Sequence, residues 1–360
     1  PFFLTASLLV PLFSLFLLLS IEGGDEARIS LGFVLWGISF MILQVCALPY
    51  IMRAAPEEVV SEAISLSFST WSLATIVSGS LISILSQLQQ IIVGRVSIPL
   101  DEFHIMLVIV SISSFSFVLV LFMKEAKPRS LSSKFYNNMK ALRSDHDWGL
   151  IARVLFPNFL IAIGAGLTIP FVNLFFNSVF KMDSDTFSLI GAGTAGIVFL
   201  TTLVIPFIRR KFGFRVAILI PQTLAILFLV ILALTELAQA YSWAFYVAIA
   251  AFMLRQPFMN MAGPMTSELG MKYVGSRNQE LISAMSSSIW SASWFISAKI
   301  FQVLRHMDLE YYQIFLITAA MYAVGVSFYR LLINDYLRRP ADNSEVAVDL
   351  EIPLRGMNRR

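Results

Sequence analysis

Arg209-Arg210-Lys211-Phe212-Gly213-Phe214-Arg215 is followed over residues 216–235 by Val-Ala-Ile-Leu-Ile-Pro-Gln-Thr-Leu-Ala-Ile-Leu-Phe-Leu-Val-Ile-Leu-Ala-Leu-Thr, and the reading of this one stretch decides the fold. Twenty residues without a charge, at 1.5 Å of rise each, match the roughly 30 Å hydrocarbon thickness of a bilayer. The basic cluster immediately before them marks one end of the span and the side of the membrane on which it lies.

Nine further runs have the same character: 1–21, 30–52, 64–86, 104–123, 154–178, 187–208, 242–264, 283–304 and 312–333. Hydrophobic residues make up 57% of the chain and charged residues 14%, with a mean hydropathy of +0.76, which excludes the ordinary soluble classes. Helices are expected rather than barrel strands. Every backbone amide in lipid must find its partner locally, and a strand needs only about 10 alternating residues to cross. Residues 1–21 have neither a basic leader nor a small-residue cleavage site, so they read as a span and not as a signal sequence. The single cysteine, Cys46, rules out an intramolecular disulfide framework.

The loops between runs alternate in charge. One set carries nineteen Lys and Arg residues and the other only four, Arg28, Arg95, Lys181 and Arg305. The bias of basic residues toward the cytoplasm then predicts a multi-pass protein of the plasma (inner) membrane with segment 124–150 and tail 336–360 cytoplasmic. These charges are a topology signal and do not point to nucleic acid.

Two span entries resemble each other: Glu62-Ala-Ile-Ser-Leu-Ser-Phe-Ser-Thr-Trp71-Ser72 and Glu280-Leu-Ile-Ser-Ala-Met-Ser-Ser-Ser-Ile-Trp290-Ser291. Each follows a run ending near a proline, Pro49 or Pro264, and then a polar loop. They pair the third run with the ninth, six apart in the same orientation, as parallel six-helix repeats require. With this pattern the chain resembles the major facilitator superfamily over residues 1–335.

The resemblance implies an all-α integral membrane protein of two parallel-repeat bundles, with the ten runs as the family's third to twelfth helices. Residues 1–123 would be a partial first bundle, 124–150 a linker, 151–335 a six-helix second bundle and 336–360 a tail. It also implies that Lys211, Gly213 and Arg215 are a degenerate copy of the family's gating-loop signature. In that copy Pro206 stands in for the first glycine and Arg210 for the aspartate.

A polar side chain at membrane depth is costly, so those that persist are the functional candidates. Arg255 is foremost: it lies mid-run, and every Asp and Glu falls outside the ten runs. A guanidinium without a fixed acid can grip an anionic solute, or it can bond backbone carbonyls and serve structure. Gln256 and Asn260 lie beside it, four apart on one helix face, and Pro257 frees a carbonyl between them. Gly166, Pro170, Asn173 and Asn177 form a second stripe. Trp290 and Trp294 with their serines form a third, and Gln44 is a lone amide in the second run. The expected solute contacts are Arg255, Asn173, Asn177, Gln256, Asn260, Trp290 and Gln44.

Together these features predict a non-enzymatic secondary or facilitative transporter of a small anionic solute, working by alternating access. Its partners are the bilayer, the solute and a coupling proton or ion, and it needs no cofactor or metal. The alternatives are a non-transporting receptor on the same scaffold and, less favoured, an acyltransferase using His104 or His306. Metal, phosphate-loop and protease motifs are missing from the sequence. In a Cys46→Ser background, a cysteine replacing Ser132 is expected to react with a membrane-impermeant maleimide only from the cytoplasmic side, and one replacing Gln239 only from the opposite side. Labelling of both from one side contradicts the topology.

Overall fold

The computed structural model of the protein describes residues 2–88, 90–93, 96–99, 101–122, 147–275 and 278–338. Most of the expected linker (123–146) and most of the expected tail (339–360) lie outside the described residues. The helices are α1 (Phe2–Glu22), α2 (Glu26–Ala54), α3 (Val60–Leu88), α4 (Glu102–Leu121), α5 (Trp148–Thr168), α6 (Val172–Phe180), α7 (Ser184–Leu234), α8 (Ser242–Val274), α9 (Gln279–His306) and α10 (Tyr311–Arg338). A short antiparallel hairpin, β1 (Gln90–Val93) with β2 (Val96–Pro99), joins α3 to α4 in the register Gln90 to Pro99.

The helix boundaries have local causes. Aspartates cap three starts: Asp25 accepts from the N–H groups of Ala27 and Arg28, Asp101 from His104, and Asp147 from Gly149 and Leu150, at 2.9–3.2 Å. Lys181 closes α6 in the left-handed conformation at φ 56°. Serines within the helices donate to their own carbonyls three or four residues back, as Ser14 does to Val10 and Ser111 to Leu107. Their hydroxyls are thereby satisfied without water.

The helices do not coincide one for one with the apolar runs. Pro170 sits in a 3-10 turn, Ile169–Phe171, that divides the run 154–178 between α5 and α6. The runs 187–208 and 216–235 both fall in α7, which is broken at Gly213, where φ 75° and ψ 177° leave the helical region. Pro49 and Pro264 do not end their helices: α2 continues to Ala54 and α8 to Val274. Seven described helical stretches are long and apolar enough to cross a membrane. α8 and α9, which hold Arg255 and the serine-rich stripe, are not among them, because their polar residues lower the average.

Contacts divide the chain into two units, Pro1–Pro56 with Ala74–Phe135, and Glu57–Leu73 with Tyr136–Arg360. In the first, α1 packs on α2 and α4, and Leu85 meets Ile105. In the second, α7 packs on α8 and α10, and α5 packs on α9 and α10. The first half of α3 groups with the second unit.

Two glycines set the position of α5. A Cβ on Gly166 would lie 2.6 Å from the Ser297 side chain of α9, and one on Gly164 would lie 2.7 Å from the Tyr322 ring of α10. Apolar attraction between helices vanishes in lipid, so such close approach is what holds them together. Ser297 uses it to donate to the carbonyl of Ile163 at 2.8 Å. Gly166→Ala is therefore expected to destabilise the protein by about 1–3 kcal/mol. Gly37→Ala, whose added carbon meets open space, should be neutral or better. Thermal midpoints of the two variants in detergent check both.

Candidate functional site

Arg255 is the largest fully buried side chain, 1% exposed, and the only buried Lys or Arg among the described residues. It projects from the middle of α8 into the second unit, where Nη1 donates to Gln256 Oε1 at 3.4 Å and Nη2 to the Tyr322 hydroxyl at 3.5 Å. Both are long for charge-assisted bonds, which run nearer 2.8 Å. Its Nε has no hydrogen-bond partner and no carboxylate pairs with it among the described residues. Tyr322 is itself buried, seated against Gly164. The absence of a large side chain at position 164 is what lets this ring reach the guanidinium.

Of the other expected contacts, Gln256 is the one that a hydrogen bond ties to Arg255 among the described residues. Gln256 is partly buried and bonded to Arg255, whereas Asn260 is exposed and donates to the carbonyl of Gln256 at 2.8 Å. The 3-10 turn interrupts the stripe from Gly166 to Asn177. Asn177, exposed, donates from Nδ2 to the Met182 carbonyl at 3.1 Å and so helps terminate α6. Asn173 is partly buried with its Oδ1 unpaired among the described residues. Trp290 donates through Nε1 to Asn158 Oδ1 at 3.2 Å, tying α9 to α5. Gln44 is exposed on α2, in the first unit. His104 is bonded to its own cap residue Asp101 at the start of α4.

A second polar centre lies at the end of the second unit that carries the basic turn. Glu268, wholly buried on the extension of α8 past Pro264, accepts from Ser61 at 2.6 Å. Its other oxygen lies 3.1 Å from Arg209 and 3.2 Å from Lys272. Arg209 also lies over the Phe214 ring, 4.6 Å from its centre. Beside this group Arg210 pairs with Glu62 at 2.6 Å. The expected signature residues lie at the break in α7. Gly213 makes the turn, Arg215 donates to Asn334, and Lys211 lies over Phe212. Sequence reading missed Glu268 because a helix was not expected to run past Pro264; the i, i+4 spacing of Glu268 and Lys272 was the available signal.

At the opposite end of α7, Glu236 is buried and accepts from the backbone N–H of Tyr312 at the start of α10. Loss of water around the carboxyl pushes its pKa up, the Tyr312 N–H opposes this, and neighbouring Glu310 adds to the rise.

No protein-family model matches the sequence, and no curated protein matches it either. Solved structures do match the fold. A bacterial homologue of the iron transporter ferroportin in an outward-facing state superposes with a TM-score of 0.69 at 12% identity, covering 92% of this chain and 84% of that one. A major facilitator superfamily transporter of the fucose type in the outward conformation gives 0.69 at 15% identity, covering 92% and 82%. The E. coli fucose:proton symporter gives 0.66 at 16% identity, covering 92% and 83%. At these identities the likeness establishes the fold.

Removing the Glu268 carboxylate takes away the acid that Arg209 and Lys272, both nearly buried, share at 3.1 and 3.2 Å. Glu268→Gln is expected to cost about 3 kcal/mol or more, read as a lowered thermal midpoint, with the double variant Glu268→Gln/Arg209→Met recovering part of the loss. For Glu236, a raised folded pKa means that the folded state binds the proton more tightly than the unfolded chain. Its contribution to stability is therefore complete below the ordinary value of 4.5 and is lost as pH rises through the raised value. Glu236→Gln should flatten that part of the stability profile, measured as thermal midpoint against pH from 4 upward.

Proposed function

We propose that this chain, which has the fold of the major facilitator superfamily, is a multi-pass membrane transporter that carries a small anionic solute by alternating access. The observation that carries this reading is Arg255, a wholly buried guanidinium in the middle of a helix with no acidic partner among the described residues. A cation in such surroundings costs at least about 2.5 kcal/mol to place at membrane depth. Retaining it without a carboxylate is intelligible if a solute supplies the negative charge at one stage of a cycle. Gln256 and Tyr322 contact the guanidinium at Nη1 and Nη2, at the limit of hydrogen-bond length.

The centre at Glu268 supports the conformational half of the reading. Its bonds to Ser61, Arg209 and Lys272, with the neighbouring pair of Arg210 and Glu62, fasten the start of α3 to the turn between the halves of α7 and to the end of α8. A buried carboxylate shared by two cations and a hydroxyl is stable while assembled and is lost as a unit when the elements separate. That makes it a latch for one of two states, which a solute bound at Arg255 would bias only through its different affinity for each. Coupling through a proton or ion, placement in the plasma membrane and a cytoplasmic tail belong to the same proposal.

The test is uptake into proteoliposomes, using a panel of radiolabelled carboxylates, phosphates and sulfate. Arg255→Ala is expected to reduce the transported anion's kcat/KM at least 100-fold while the protein still inserts and purifies. Full activity of that variant removes Arg255 from the mechanism. Saturable binding with no flux in the parent protein supports a receptor on this scaffold instead.

A further inference from the structure

The hydrogen-bonding state of Arg255 narrows the chemistry of what it holds. Its five N–H groups point in fixed directions within one plane. Nη1, on the Gln256 side, is occupied. The edge formed by Nε and Nη2 presents two parallel N–H vectors; Nε has no partner, and Nη2 has only the 3.5 Å contact to Tyr322. The Tyr322 oxygen accepts in that contact, so its own proton remains available to donate.

The Nε and Nη2 edge and the Tyr322 hydroxyl beside Nη2 therefore have no strongly bonded acceptor among the described residues. One turn beyond Gly164, on the face of α5 that meets Tyr322, the hydroxyl of Thr168 is also wholly buried without a hydrogen-bond partner. Buried donors left without an acceptor favour an anion.

Charge and shape then discriminate among anions. Arg255 is the only buried cation among the described residues, and the groups bonded to it, Gln256 and Tyr322, are neutral. One positive charge balances one negative charge; a dianion would bring an uncompensated charge to membrane depth. The two parallel N–H groups of a guanidinium edge match the two oxygens of a carboxylate, which are all the oxygens it has; a tetrahedral oxyanion can also offer two, but its remaining oxygens then lie out of that plane and must be desolvated.

From this geometry we infer that Arg255 receives a planar monocarboxylate side-on, Nε and Nη2 donating to its two oxygens and the Tyr322 hydroxyl donating to the oxygen nearer Nη2. This rests on the anionic-solute reading above and gives it a substrate class. It also makes Tyr322 a specificity residue: its hydroxyl contacts the carboxylate, and Gly164 holds its ring in place.

The experiment is equilibrium binding of [14C]benzoate and [14C]acetate to the purified full chain in detergent at constant ionic strength, with methylphosphonate, inorganic phosphate and acetamide as competitors. The parent protein should bind both carboxylates saturably, while the phosphorus oxyanions and acetamide compete at least tenfold more weakly. Arg255→Lys, which keeps the charge and loses the planar edge, should weaken binding at least tenfold. Tyr322→Phe, which keeps the ring that packs on Gly164, should weaken it about three- to tenfold without lowering the thermal midpoint of the unliganded protein.

If Arg255→Lys is too unstable to purify, the Tyr322→Phe arm and the competitor ranking decide the matter alone. Equal competition by methylphosphonate, or unchanged affinity in both variants, overturns the inference. Failure of the two readings looks different. Carboxylate binding without flux in proteoliposomes leaves the site standing and removes transport. Flux of another solute, insensitive to Arg255→Ala and to benzoate, leaves transport standing and removes the carboxylate site.

Discussion

Close approach between helices at Gly164 and Gly166 is the contact on which the second unit depends. Lipid does not press apolar helices together as water does, so their association has to come from van der Waals fit and from hydrogen bonds between them. Both are present here. Gly166 admits Ser297 and its bond to the Ile163 carbonyl, and Gly164 admits the ring of Tyr322. From that ring the hydroxyl reaches Arg255. The packing of α5, α9 and α10 and the setting of the buried cation on α8 are thus consequences of the same two missing side chains.

The unit is polar at two levels, and the two levels are built differently. At the end bearing the basic turn, Glu268 is fully compensated, sharing two cations and a serine hydroxyl. Arg255 is only loosely coordinated, by a neutral amide and a neutral hydroxyl at the limit of hydrogen-bond length. A compensated buried charge holds a structure; an uncompensated one raises the energy of a structure that lacks its counter-ion and lowers it when the counter-ion arrives. On this contrast rests the proposed division of the unit into a fastening and a receiving centre.

Much of the fold is legible in the sequence because lipid imposes so simple a code. Charge-free runs near twenty residues in length mark where chain can lie in hydrocarbon, and Arg255 stands out within one of them by cost alone. The pairings between helices are harder to read, since they depend on rotation and depth that a linear pattern does not specify. Asn173 and Asn177 look like one stripe with Gly166 and Pro170 until the 3-10 turn at Ile169–Phe171 changes the helical phase between them. Asn177 then spends its amide on terminating α6. Glu268 looks like a loop residue because Pro264 suggests a helix end. The proline is instead accommodated inside α8, as prolines in membrane helices often are, and the carboxylate is carried into the interior.

The most direct measurement of the central claim is an experimental structure of the protein with 4-bromobenzoate, the bromine located by its anomalous scattering. The account predicts a bromine peak within the second unit, with the carboxylate against the Nε and Nη2 atoms of Arg255. A carboxylate of the protein's own chain bonded to Nε, or a ligand held elsewhere with Arg255 untouched, would contradict it.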